Sequence, residues 1–286
     1  IKPIIGCEIY VAVGSRFEKK TRSDGGWGNN HLILLAQNFT GYRNLMKLVT
    51  AGYLEGFYYR PRIDMDLLRE YSEGLICMSA CLKGVVPEKM LKGDYEGAKK
   101  EALLFSEIFQ DRYYLEIQNH GIPEEEQNLK NMKKLSQDLN LPLVCTNDAH
   151  YAKKEHWEAH DIHICLGTGK ERSDPNRLRY ATPEFYFKTQ DEMHKLFKEF
   201  PGAIENTRKI ADSIDITLPI GESHLPNFPI PKEANISDPD EYLKSITESG
   251  AQNLYGEITP EIKKRMSHEL NVIKNMGFAG YFLITA

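Results

Sequence analysis

No apolar run in this 286-residue chain approaches the roughly 18 residues that a membrane-spanning helix requires, which excludes a transmembrane reading. An excess of positive charge is missing as well. The 36 Lys and Arg face 41 Asp and Glu, giving a net charge of −5 and a pI near 6.0. Nucleic acid therefore meets no global attraction, and any such contact is local or lies in a part of the protein outside this sequence. There is no initiator Met, basic head or signal-type apolar segment: Ile1-Lys-Pro-Ile-Ile-Gly6 reads at once as the entry to a strand. The final run, Met276 to Ala286, is apolar and carries no cap, so the chain is expected to be cut from a longer one. Cysteines are few and odd in number, at 7, 77, 81, 145 and 165, mostly within strand-like apolar runs. No second pair joins Cys77 and Cys81 in a four-thiolate zinc site, and reduced core thiols of a cytosolic protein are expected. Internal repeats and low-complexity tracts are also absent. What is present is 41% apolar and 27% charged residues, the composition of a globular protein with one large α/β domain, or one domain and a smaller piece.

Periodicity fills in the elements. Strands are predicted over Lys2–Val13, His31–Ala36, Gly74–Ala80, Tyr113–His120 and Leu143–Cys145. Helices are predicted over Thr40–Val49, with Thr40 as N-cap, Asp64–Tyr71, Asp94–Phe109, Pro123–Leu139 and Glu155–Gly167. Pro123 suits a first helical turn, and the acidic Glu124-Glu125-Glu126 behind it suits the macrodipole. Such alternation implies βα units, a largely parallel sheet, and chemistry where strands end and loops begin. Phe185–Phe187 reads as a short strand, and Gln190–Ile216 as two helices broken at Pro201-Gly202. The stretch 219–238, with four prolines, reads as a linker or lacing segment, and two amphipathic helices follow at Glu241–Leu254 and Pro260–Met276.

The chain is organised around Thr146-Asn-Asp148-Ala-His150, directly after a buried apolar strand. In extended backbone Asp148 and His150 point the same way, so the two can grip one metal ion or act as base and orienter. Taken alone, an Asp-x-His is more often a helix cap beside a solvated imidazole. Matching groups must come from other strands. His120 ends one strand, His31 heads another, and Glu8 interrupts an apolar run, where a carboxylate is costly unless paired or facing solvent. His156, His160 and His163 share a helical face, but Trp157, Ile162, Ile164 and Leu166 are expected to form the packing face, leaving those imidazoles at the surface or behind a site. Arg16, Lys19, Lys20 and Arg22 in one loop, and Arg177 and Arg179 in another, are candidates for touching a phosphate backbone, or else are solvated charge.

Gly6-Cys-Glu8, His31-Leu-Ile-Leu-Leu-Ala36, the Asn38-x-x-Gly41-Tyr-x-Asn-Leu run, Tyr114-Leu-Glu-Ile-Gln-Asn-His120, Thr146-Asn-Asp-Ala-His150-Tyr151 and Met276-Gly-Phe-Ala-Gly-Tyr-Phe-Leu-Ile together resemble the alpha subunits of bacterial DNA polymerase III. The first 220 or so residues resemble the polymerase-and-histidinol-phosphatase (PHP) domain, and the tail resembles the start of the palm. The resemblance implies a distorted (β/α)₇ barrel, N-terminally incomplete here, over 1–218, then the Pro-rich linker 219–238 and the start of the palm over 239–286. It also implies a cluster of divalent metals with Glu8, His31, His120, Asp148 and His150 among its ligands. The family's His-x-His pair, the Asp after it and its Thr-Asp-His-Gly motif precede Ile1. A mixed imidazole and carboxylate set suits Zn, Mn or Fe. In the intact protein the resemblance further implies Mg-dependent DNA synthesis on primer–template DNA, with a proofreading exonuclease subunit and a sliding clamp as partners, no membrane, and a bacterial cytoplasmic setting. The catalytic aspartates of polymerisation lie past residue 286, so this chain alone is not expected to polymerise. A metal-dependent phosphoester hydrolase of 3′→5′ exonuclease type, a metal-poor scaffold bracing the palm, and a free-standing phosphatase are the readings of the first part.

Overall fold

A computed structural model describes residues 2–20, 28–221 and 226–286 of the chain. It divides into two compact units, Ile1–Leu218 and Pro219–Ala286. In the first unit, β1 (Gly6–Ala12) and β2 (Asn29–Ala36) lead into α1 (Phe39–Leu54), then β3 (Arg62–Ile63), α2 (Met65–Glu70) and β4 (Leu75–Met78). Next come α3 (Val85–Leu91), α4 (Tyr95–Phe109), β5 (Tyr113–Ile117), α5 (Pro123–Leu139), β6 (Leu143–Cys145), α6 (Trp157–Thr168), α7 (Gln190–Leu196) and α8 (Ala203–Ser213).

The strands form one sheet in the order β3-β1-β2-β4-β5-β6. The α/β class matches expectation, but among the described residues the sheet stays open, with the two-residue β3 and the three-residue β6 at its edges. It is also less uniformly parallel than alternation implied. β4, β5 and β6 run parallel, as do β1 and β3, whereas β2 is antiparallel to both β1 and β4. Among the described residues no helix lies between β1 and β2, and an antiparallel neighbour needs no crossover.

Side chains alternate across this sheet. Ile9, Val11, Leu32, Leu34, Cys77, Tyr113, Leu115 and Cys145 point to one face, which Leu45 and Leu48 of α1, Ala98 to Phe109 of α4 and Leu129 to Leu135 of α5 cover as the main core. On the other face Ile76, Met78 and Val144 pack against Ile210 and Ile214 from α8 and its end, held where the Asn206 amide donates to the Leu143 carbonyl at 2.7 Å. That second face is roofed at one end only. Towards the C-terminal ends of β4, β5 and β6 it opens.

Local signals explain most element ends. Pro123 opens α5 with three glutamates in the first turn, and Asn140 closes it in the left-handed conformation. The N-cap of α1 is Asn38, whose Oδ1 accepts from the Gly41 amide at 2.9 Å, not Thr40. Gly41 abuts Gly74, where a Cβ would stand 1.8 Å from the carbonyl oxygen, so no larger residue fits in this first turn. Phe185–Phe187 is not a strand, only a single bridge from Tyr151 to Tyr186.

The second unit holds α9 (Pro239–Tyr255), α10 (Pro260–Asn275) and α11 (Ala279–Thr285) around a small core of Leu243, Ala279 and Leu283, with Phe228, Tyr242, Leu270 and Ile273 against it.

Candidate functional site

Because β2 runs against its neighbours, its first residues lie beside the last residues of β1 and β4: His31 pairs with Tyr10, and Ile33 with Met78. A histidine at a strand start thus reaches the same rim as side chains at strand ends. Glu8 and Tyr10 alternate onto the open face of β1, and the Glu8 Oε1 lies 3.1 Å from the His31 Nδ1. Past β6 the loop delivers Asp148 and His150, whose Oδ1 and Nε2 stand 3.4 Å apart. Their approach does not come from extended backbone: Asp148 has φ +40, a left-handed conformation that Asp tolerates, and the chain has left the sheet by Thr146.

Glu8, His31, Asp148 and His150 line one cavity of about 490 Å³, together with Ile33, Met78, Cys81, Lys83, Glu116, Gln118, Thr146 and Tyr180. Burial lowers the His31 imidazole, only partly opposed by Glu8, so the ring favours its neutral form. The Cys81 Sγ lies 3.6 Å from the same Nδ1, and burial pushes that thiol up to about 11, leaving it unreactive at neutral pH. The Tyr180 hydroxyl stands 3.1 Å from the His150 Nε2, and His160 stacks obliquely on His150 at 5.8 Å.

His120, expected in the same set, is elsewhere. Its ring is 1% exposed and lies flat on Phe185, centroids 4.1 Å apart. The Nδ1 faces the Glu125 Oε1 at 2.7 Å, the Nε2 faces the Asn147 carbonyl at 2.9 Å, and the His120 amide donates to the Glu125 Oε2 at 2.6 Å. Both ring nitrogens are thus engaged within the fold, one against the Glu125 carboxylate and the other against the Asn147 carbonyl. The placement is thus that of a clamp joining the first turn of α5 to the loop that carries Asp148.

Several pocket residues, Lys83 and Tyr180 among them, escaped the sequence reading, and Glu116 is the most informative. Glu116 alternates with the core residues Leu115 and Ile117, so it points to the pocket face, 4% exposed. Its Oε1 accepts from the Thr146 hydroxyl at 2.5 Å and from the Gln118 amide at 3.3 Å, whereas its Oε2 has no hydrogen-bond partner. Burial pushes the carboxyl up to about 7, against the Thr146 and Ala80 donors, and Asp148 adds to the rise. The signal that singled out Glu8, a carboxylate inside an apolar strand, was equally present at Glu116.

The donor types fit a divalent cation, and a buried carboxylate oxygen without a partner is an atom that such an ion would satisfy. The donors stand as two separate acid–imidazole pairs, and among the described residues no three His, Cys, Asp or Glu side chains are grouped as for a single ion.

The basic candidates divide. The Arg16 guanidinium is spent on Asp64 at 3.0 Å and Glu55 at 2.6 Å. Arg177 is buried in a two-pronged pair with Asp161, at 2.5 and 2.8 Å. That pair also corrects the packing face of α6: Asp161 and Cys165 are the buried residues, while Trp157, Ile162 and Leu166 are exposed. Lys19 and Arg179 are exposed, Lys20 lies 3.7 Å from Glu18, and Arg22 is outside the described residues.

Comparison with known proteins bears on these features. Residues 1–120 match the family model described as PHP domain, and residues 241–286 match the one described as Bacterial DNA polymerase III alpha NTPase domain. The chain is 49% identical over 287 residues to DNA polymerase III subunit alpha of Borreliella burgdorferi, covering 99% of this chain and 25% of that protein. It is 44% identical to the same subunit of Treponema pallidum, covering 99% and 24%, and 35% identical to that of Thermus aquaticus, covering 99% and 28%. The chain thus spans about a quarter of the length of the curated relatives it matches.

Proposed function

The chain belongs, over the quarter of their length that it spans, with the alpha subunits of bacterial DNA polymerase III, and from that premise we propose a function in two parts. The whole protein carries out DNA-directed 5′→3′ synthesis on primer–template DNA in the bacterial cytoplasm, using Mg and working beside a proofreading exonuclease subunit and a sliding clamp. This chain contributes none of the polymerising residues. Its first unit contributes a phosphoester-hydrolase pocket of the 3′→5′ exonuclease type, and its second the start of the polymerase palm.

What supports the pocket reading is the convergence of Glu8, His31, Asp148 and His150, from three strand ends distant in sequence, on a single cavity. Those residues, with Zn, Mn or Fe, would hold a cation that lowers the pKa of a bound water and steadies the oxygens of a phosphodiester. The side chains themselves do identifiable work. His31 is a neutral ligand or proton acceptor, Asp148 orients His150, and Lys83 at the rim supplies positive charge for a phosphate. Lys19, Lys20 and Arg179 are the basic candidates whose charge is least committed within the fold, and therefore the ones proposed to meet DNA.

The separation of the donors into two pairs favours a second reading, a metal-poor scaffold that braces the palm. Metal analysis of the full-length subunit purified without chelator, with primer-end trimming by the Asp148→Ala variant, decides between them. Bound metal and lost trimming support the hydrolytic pocket. Less than one ion per chain, with trimming unchanged, overturns it in favour of the scaffold.

A further inference from the structure

The resemblance does not assign Glu116 to the metal cluster, yet three observations separate it from the other acids of the pocket. It is the most deeply buried of them, at 4% exposure, while the side chains of Glu8 and Asp148 are 47% and 43% exposed. Glu8 and Asp148 are each committed to an imidazole, at 3.1 and 3.4 Å. Glu116 is held mainly through Oε1, which takes the Thr146 and Gln118 donors; the Ala80 amide lies near the carboxylate, but Oε2 makes no well-formed hydrogen bond. A buried carboxylate oxygen without a well-formed hydrogen bond is costly, so one belonging to a residue that lines a donor-rich cavity is an atom that a cation reaching it would satisfy.

Charge agrees. Once a cation has displaced the Glu116 proton, Glu8, Glu116 and Asp148 against Lys83 leave the pocket two negative charges in excess when the imidazoles are neutral, the charge that one divalent cation balances. Without Glu116 the excess is one.

We propose that Glu116 is a further ligand of the pocket, its Oε2 binding a divalent cation while Thr146 and Gln118 fix the carboxylate from behind. This rests on the reading of the pocket as a metal-dependent site. Unlike Glu8 and Asp148, Glu116 gives up no existing contact with an imidazole when the cation enters, so it is the donor that anchors the ion first.

The test uses the full-length subunit, stripped with EDTA and titrated with Mn(II), for wild type, Glu116→Gln and Glu116→Asp. Thermal unfolding and calorimetric affinity are the readouts. The expectation is that Mn(II) stabilises the wild type, that stripped Glu116→Gln melts no lower than stripped wild type, and that its Mn(II) affinity falls by about tenfold or more, with Glu116→Asp regaining part of the loss. If Glu116→Gln binds Mn(II) within about twofold of wild type, the assignment of Glu116 is overturned and the metal-dependent reading stands. A wild type that takes up no Mn(II) overturns both.

Discussion

Replacing Glu116 by Gln should make the metal-stripped chain more stable at pH 8 and change its pH dependence. Burial raises the Glu116 carboxyl from an ordinary value of 4.5 to about 7. The folded state therefore holds this proton more tightly than the unfolded state, and protonation favours folding. Glu116 detracts nothing below about pH 4.5, detracts progressively as pH rises towards 7, and detracts a constant amount above that. At about 1.4 kcal/mol per pH unit, the full penalty is about 3 kcal/mol. Gln is isosteric, keeps an oxygen for the Thr146 hydroxyl, and carries no charge to desolvate. Its amide sits less well near the Ala80 amide, so the net gain at pH 8 is on the order of 1–3 kcal/mol. Urea unfolding of the chain in EDTA, followed by tryptophan fluorescence, measures it, since both tryptophans, Trp27 and Trp157, fall in the first unit. Wild-type stability should decline between about pH 5 and 7 relative to the variant, and the two should converge near pH 4.5. Parallel profiles, or a variant less stable at pH 8, would refute the reasoning.

Three further outcomes follow from the described contacts. Asp161→Asn removes the carboxylate that the Arg177 guanidinium grips in two prongs and should lower the midpoint of chemical denaturation at pH 7. Arg177 holds Asp161 below the ordinary carboxylate range, so this pair's contribution is full above that range and lost as pH falls through the depressed value; the variant should lack that acid-side loss. Arg62→Met removes a 1%-exposed guanidinium that donates to the carbonyls of Gly56, Arg16 and Glu18, and should cost about 2–4 kcal/mol while speeding proteolysis at residues 14–20. Glu125→Gln replaces the buried carboxylate that meets both the His120 amide and its Nδ1 with a neutral amide, and should cost about 1–2 kcal/mol in thermal or urea unfolding; a loss under about 0.5 kcal/mol would show that the clamp contributes little.

Much of the first unit was legible because its strands are short apolar runs with sharp ends. Pro123 and the glutamates behind it mark α5, and the Pro201-Gly202 break separates α7 from α8, with Gly202 at φ +83. Pocket membership was legible for Glu8, His31, Asp148 and His150, since a ligand-type residue in or beside an apolar strand is conspicuous. Three things were not. The reversal of β2 depends on pairing partners, which periodicity does not encode. The face buried by α6 is set by a residue outside the helix, Arg177, which pulls Asp161 inward against its polarity. His120 follows β5 much as Asp148 and His150 follow β6, and only its two tertiary partners, Glu125 and the Asn147 carbonyl, show that its nitrogens are engaged.

The backward run of β2 has an arithmetic consequence. Glu8 and His31 meet diagonally across a ladder in which neighbouring side chains alternate sides, so their meeting depends on parity. One residue inserted between Gly6 and Glu8 would rotate the carboxylate onto the opposite face, among Ile9, Val11 and Leu34, whereas two would restore its side one step along. Insertions between Gly14 and Lys20 carry no such odd–even rule, because that stretch lies outside the ladder. Length changes there should answer instead to the Arg16–Asp64 pair and to the Arg62 contacts with the Arg16 and Glu18 carbonyls, while within β1 tolerance should flicker with every added residue.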